Sequence, residues 1–148
     1  MKIWFADTSA LIKRYIREPG SDWLRSELIR HEMMIAHLTP IELTAALGRR
    51  YRQGIISQFA FFQARQVFVL HLNAGKYRIV DWQKPIFDEA MRLTFRQGLR
   101  AYDAVQLASA LVTSASIDRN RFTFLTADAA LERVAQAEGL PTDNPLNH

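Results

Sequence analysis

Apolar positions along the chain fall into two kinds of stretch. Ile3-Trp4-Phe5-Ala6, Met33 to His37, Tyr77 to Val80, and Phe122 with Phe124 and Leu125 are short runs with little polar interruption. Runs of this kind suit interior strands buried on both faces. Between them apolar residues recur every three or four positions. Leu11, Ile12, Tyr15 and Ile16 predict a first helix reaching about Arg17, broken by Glu18-Pro19-Gly20-Ser21. Ser21 or Asp22 caps a second through Trp23, Leu24, Leu28 and Ile29. Thr39-Pro40-Ile41-Glu42 opens a third, with a capping hydroxyl, proline in the first turn and Glu three residues after Thr. It continues through Leu43, Ala46, Leu47 and Tyr51 to Gly54. A fourth, from near Ser57, carries Phe59, Phe61, Phe62, Val67, Phe68 and Leu70. Pro85 to Gln97, Ala101 to Ala115 and Asp128 to Glu138 are three more, and Gly139-Leu140-Pro141 leads into a short final strand or tail. Short strands alternating with helices predict an α/β protein. The expected architecture is three-layer α/β/α, with a central, mostly parallel sheet of four to five strands. Residues 1–148 read as a single domain without internal repeats or linkers.

Composition narrows the picture modestly. A chain of 148 residues, 49% of them hydrophobic, has enough apolar side chains for a substantial core. No uninterrupted apolar stretch is long enough to span a membrane. Asp7 falls inside what would be a signal-peptide core, so a cytoplasmic protein is expected. There is no cysteine, which excludes disulfides and thiolate zinc sites. The net charge is +4, and fifteen of the nineteen basic residues are arginine, the side chain best suited to forked contacts with phosphate. A basic balance makes polyanions plausible partners without identifying one.

The chemistry turns on where the acids fall. Asp7 follows the first strand and is followed by Thr8, Ser9 and a helical pattern, where open α/β sheets bind ligands. Glu42, Asp103 and Asp128 also sit at strand-to-helix junctions or helix starts. Each has a purely structural reading. Asp7 caps its helix, Glu42 completes a capping box with Thr39, and Asp103 and Asp128 complement helix dipoles, an effect worth about 1 kcal/mol or less each. As a set they mean more. Helices entered from the carboxyl ends of parallel strands begin along one edge, so acids placed there can meet in one crevice. Carboxylates brought close repel one another and call for a counter-charge. For an all-oxygen cluster that is Mg²⁺ or Mn²⁺, ions that hold phosphates and activate water. Acids with a basic rim therefore point to phosphodiester hydrolysis.

The residues Phe5-Ala6-Asp7-Thr8-Ser9-Ala10-Leu11, Tyr15, Glu18-Pro19-Gly20-Ser21, Glu42, Tyr102-Asp103-Ala104 and Thr126-Ala127-Asp128 together carry a resemblance. The chain resembles a PIN-domain ribonuclease, most closely a VapC-type toxin of bacterial or archaeal toxin–antitoxin pairs, and the resemblance covers essentially its whole length. No single piece is specific; four acids in order with these neighbours are. The resemblance implies a PIN-like fold and a Mg²⁺- or Mn²⁺-dependent endoribonuclease acting on cellular RNA such as tRNA or rRNA. It also implies a homodimer, inhibited by a small cognate antitoxin. Carried over by position, Asp7 and Asp103 are the firmest metal ligands. Glu42 binds directly or through water, and Asp128 completes the quartet. Ser9 and Thr126 orient the carboxylates by hydrogen bonds. Attack of metal-activated water on phosphorus would leave 5′-phosphate and 3′-hydroxyl ends. The alternative is a catalytically silent PIN-like module that binds RNA or protein.

Other features weigh less. Arg49 lies seven residues, about two turns, beyond Glu42, so it either shares the crevice as an RNA contact or belongs to a solvated basic face with Arg50 and Arg52. Gln106, one turn beyond Asp103, reads as packing before it reads as a contact to substrate or a metal-bound water. Most of Phe59, Phe61, Phe62 and Phe68 read as core, with the remainder free for the antitoxin or a second protomer. His31, His37, His71 and His148 show no metal-ligand spacing and receive no role. A haloacid-dehalogenase-like phosphatase needs an Asp where Ser9 stands. A Rossmann module needs a glycine-rich turn after the first strand. Neither pattern is present.

Overall fold

The structure is a computed structural model describing residues 1–148. Five strands, β1 (Lys2–Ala6), β2 (His31–Ala36), β3 (Arg78–Val80), β4 (Phe122–Leu125) and β5 (Thr142–Asp143), form one sheet in the order β3-β2-β1-β4-β5. Every pairing is parallel. The seven helices are α1 (Thr8–Leu11), α2 (Ser21–Glu27), α3 (Thr39–Arg52), α4 (Gln58–Asn73), α5 (Lys84–Gln97), α6 (Ala101–Ser114) and α7 (Ala129–Ala137). The sheet reaches the upper end of the four to five strands expected and is parallel throughout where mostly parallel was expected, and the three-layer arrangement follows from its alternation. In β1, Ile3 and Phe5 face a core built with α5, α6 and α7, while Trp4 and Ala6 face one built with α1 to α4. Phe5 and Phe124 are completely buried. Side chains of that size contribute roughly 1.5–3 kcal/mol each by leaving water, so the central strand is anchored from both faces. The parallel sense places every strand's carboxyl end on one edge. No helix is long and apolar enough to cross a membrane.

Several local expectations are corrected. The first helix stops at Leu11 and tightens into a 3₁₀ turn over Ile12–Arg14 instead of running to Arg17. The hydroxyl of Ser21 donates to the carbonyl of Ile16 and accepts from the amide of Glu18, while Pro19 disfavours helical backbone at Glu18. Neither Ser21 nor Asp22 caps α2; its N-cap is Gly20 at φ +88°. A Cβ there would stand 2.7 Å from the carbonyl oxygen of Pro145, so only glycine fits. The helix expected from Thr39 has Leu38 as its N-cap, without a side-chain bond. The phenylalanines of α4 divide evenly instead of being mostly core: Phe68 is buried and Phe61 packs against the core, but Phe59 is 74% exposed and Phe62 54%.

Candidate active site

Four elements deliver the acids to one place. Asp7 leaves β1 and caps α1, Glu42 lies in the first turn of α3, Asp103 in the first turn of α6, and Asp128 caps α7 after β4. All four line a single cavity of about 220 Å³ at the carboxyl edge, together with Arg49 and Arg50. Arg49 is on the crevice wall and exposed, and Arg50 reaches back to Glu18 at 3.4 Å.

Asp7 is the most constrained. Its Oδ1 accepts from the Ala10 amide (3.0 Å) and the Ser9 hydroxyl (2.8 Å), and its Oδ2 accepts from the Thr126 hydroxyl (2.7 Å). The Ser9 oxygen accepts from the Ala127 amide, and the Thr126 oxygen from the Asp128 amide. This lattice ties the end of β1 to the end of β4. Burial pushes the Asp7 carboxyl up to about 6, against the opposing pull of its three donors, and the Asp103 charge adds to the rise. Asp7 is therefore both a helix cap and a buried carboxyl facing other acids.

Burial raises Glu42 as well, partly offset by a hydrogen bond from Gln106 and by the nearby Arg49. Asp103 is raised by burial first and the Asp128 charge second. Asp128 spends Oδ1 on the Ala130 and Leu131 amides, which leaves Oδ2 without a backbone partner. The capping box between Thr39 and Glu42 is not formed. Both side chains turn instead to Gln106, whose Nε2 lies 2.9 Å from the Thr39 hydroxyl, 2.9 Å from Glu42 Oε1 and 3.2 Å from the Thr8 hydroxyl. An amide nitrogen has two hydrogens, so it serves Glu42 and one threonine at a time. Its Oε1 is buried without a partner. Gln106 thus does more than pack: it is the polar bridge between α6, α1 and α3. The signal available in the sequence was one long polar residue on the otherwise small or apolar buried face of Ala104, Leu107, Ala108 and Ala110.

The donor set is entirely oxygen, which suits Mg²⁺ or Mn²⁺. No three of the acids stand close enough to enclose one ion. The arrangement fits an ion such as Mg²⁺ that keeps several waters and touches one or two carboxylates directly.

An acid-lined crevice at the carboxyl edge of a five-stranded parallel sheet, flanked by helices on both faces, defines the class of protein. The chain belongs to the PIN domain family, whose profile matches residues 4–137. No curated protein matches it significantly in sequence. Among solved structures it is similar to PAE2754 from Pyrobaculum aerophilum, with 21% identity, TM-score 0.64, and coverage of 95% of this chain and 89% of that one. It is also similar to VapBC2 from Rickettsia felis bound to a DNA fragment from its promoter, at 14% identity, TM-score 0.63 and coverage of 96% and 98%. A toxin–antitoxin complex from Klebsiella pneumoniae gives 17% identity, TM-score 0.61 and coverage of 95% and 96%. At these identities the likeness establishes the fold.

Proposed function

We propose that the protein is a metal-dependent endoribonuclease and the toxin of a toxin–antitoxin pair, acting in the cytoplasm on cellular RNA such as tRNA or rRNA. The observation that carries the reading is the convergence of Asp7, Glu42, Asp103 and Asp128 on one crevice with arginines at its rim. Membership of the PIN domain family and the fold shared with toxin–antitoxin structures support it. Asp7 and Asp103 would hold Mg²⁺ or Mn²⁺, with Glu42 and Asp128 completing the shell directly or through water. When bound, such an ion polarises the phosphodiester and lowers the pKa of water. The chain's own residues set the stage. Ser9 and Thr126 lock the Asp7 carboxylate in one orientation. Gln106 holds Glu42 against the crevice wall. Arg49 faces the substrate strand as a phosphate contact.

Two unpartnered apolar faces support the proposed partners. Phe87, Met91 and Phe95 recur every fourth residue along α5 and are 51%, 60% and 90% exposed, a face for a second copy of the chain. A groove between α3 and α4, lined by Ile41, Ala45, Gly48 and Phe61, adjoins the helix that carries Glu42 and Arg49. An antitoxin seated there would lie within reach of the crevice.

The test is RNA cleavage with Mg²⁺ or Mn²⁺, followed by sequencing of the ends. Asp7→Asn and Asp103→Asn should each reduce cleavage at least about a hundredfold, consistent with loss of a metal ligand. The products should carry 5′-phosphate and 3′-hydroxyl groups. Retained activity in either variant refutes the ligand assignment. A wild-type protein that binds RNA but never cleaves it supports the silent-module alternative.

A further inference from the structure

A second cavity, of about 550 Å³, opens beside the start of β2, at the edge of the sheet opposite the acids, and shares no lining residue with their crevice. Its charged and titratable lining is basic throughout: Arg14, Arg25, His31, His71 and Lys76, with no acid among them. The chain pairs many of its cations elsewhere, yet Arg14, Arg25 and Lys76 enter no ion pair. Three unpaired cations converging on one hollow oppose one another unless an anion joins them.

Hydrogen bonding orders this lining. The Arg14 guanidinium cannot accept, so the bond from its Nη1 makes the Tyr77 oxygen an acceptor. The Tyr77 hydroxyl is also paired with the Tyr15 hydroxyl, which lies 2.8 Å from Nδ1 of His71, so Arg14, Tyr77, Tyr15 and His71 form one hydrogen-bonded chain. The positive field is visible on that ring: burial first, then Arg14 and Lys76, hold His71 below the usual histidine range. Arg25 is steadied by a bond from its Nε to the Arg14 carbonyl at 3.2 Å, which leaves its two terminal nitrogens uncommitted.

We propose that this cavity is a binding site for a phosphate group, gripped by Arg14, Arg25 and Lys76, with His71 in its wall. Forked guanidinium donors match phosphate oxygens in geometry as well as charge. The volume exceeds a bare phosphate, and Leu28, Ile29 and Met33 supply apolar surface for the carbon framework it is attached to. The phosphate comes either from a free metabolite of nucleotide size or from the 5′ end of an RNA strand. The site does not depend on the nuclease reading, because the acids take no part in it.

The test uses the full chain without divalent metal, titrated with inorganic phosphate at constant ionic strength while the imidazole signals of His71 and His31 are followed by NMR. Saturable shifts are expected in the wild type. Arg25 and Lys76 are exposed and outside every ion pair, so the double variant Arg25→Gln/Lys76→Gln should fold normally and bind at least tenfold more weakly. Parallel titrations use AMP and a tetranucleotide with a 5′-phosphate or a 5′-hydroxyl. Binding of the 5′-phosphorylated strand, but not of its 5′-hydroxyl form, assigns the phosphate to an RNA end. Binding of phosphate and AMP with neither strand assigns it to a free metabolite. Shifts that fail to saturate, or a double variant that binds like the wild type, overturn the proposal.

Discussion

At the scale of single residues, Asp7 shows how one side chain satisfies two demands. Its sequence context, a carboxylate followed by hydroxyls and a helix, favours a cap when taken alone and a crevice only alongside the other acids, and the structure shows both in the same carboxyl. What the sequence could not supply was the partner across 119 positions: nothing local announces that Thr126 will donate to Asp7. The raised pKa has a thermodynamic consequence. A carboxyl that moves from an ordinary 3.8 to about 6 on folding binds its proton more tightly in the native state. The metal-free protein therefore gains stability as pH falls from about 6 to about 4 and loses it as pH rises through that window, by about 3 kcal/mol at most. Asp7→Asn should raise the melting temperature of metal-free protein at about pH 7.5 by several degrees, with the difference vanishing near pH 4. Millimolar Mg²⁺ should stabilise the wild type and not this variant. Calorimetry across that pH range reads both; a variant that melts lower at neutral pH would remove the claim that a buried charge is held at a cost.

At the scale of elements, strand and helix positions were legible because the apolar period switches cleanly between them. Local stops were less so. The early end of α1 is decided by hydroxyl bonds of Ser21 and by the backbone at Gly20, which abuts Pro145 near the other end of the chain. A periodicity argument sees neither. Gly20→Ala should lower stability by more than about 1 kcal/mol, since it adds the left-handed penalty to a clash with backbone. Thermal unfolding measures it, and an unchanged melting point would show that the contact gives way freely. Gln106 was read as packing because a lone amide on a helix face carries no signature. Gln106→Leu strands the buried hydroxyls of Thr8 and Thr39 and frees Glu42, so a loss of about 1–3 kcal/mol is expected. Glu42, without its donor, should titrate higher still, which NMR of the carboxyl carbon would detect.

At the scale of the molecule, the architecture followed from alternation alone, whereas the outward faces of α4 and α5 did not. Phe59 and Phe62 look like core in a sequence because an aromatic residue is the same letter inside and outside; only the width of the buried stripe on α4 shows that they are surplus. If α5 pairs with its counterpart in a second copy, sedimentation should give twice the 17.0 kDa chain mass. Phe95→Ser with Met91→Glu should then halve it without lowering helix content. A double variant that sediments like the wild type would move the interface elsewhere.

The central strand, β1, spans Lys2–Ala6, yet one of its two neighbours, β4, lies beyond residue 121. β1 can pair with β2 across a short stretch of chain, but its other edge stays open until the distant β4 docks, and such non-local pairings are slow to close. Thr126 and Asp128 arrive with that last neighbour. The acid crevice therefore has no far wall until that distant pairing has closed, which makes its assembly a late event of folding.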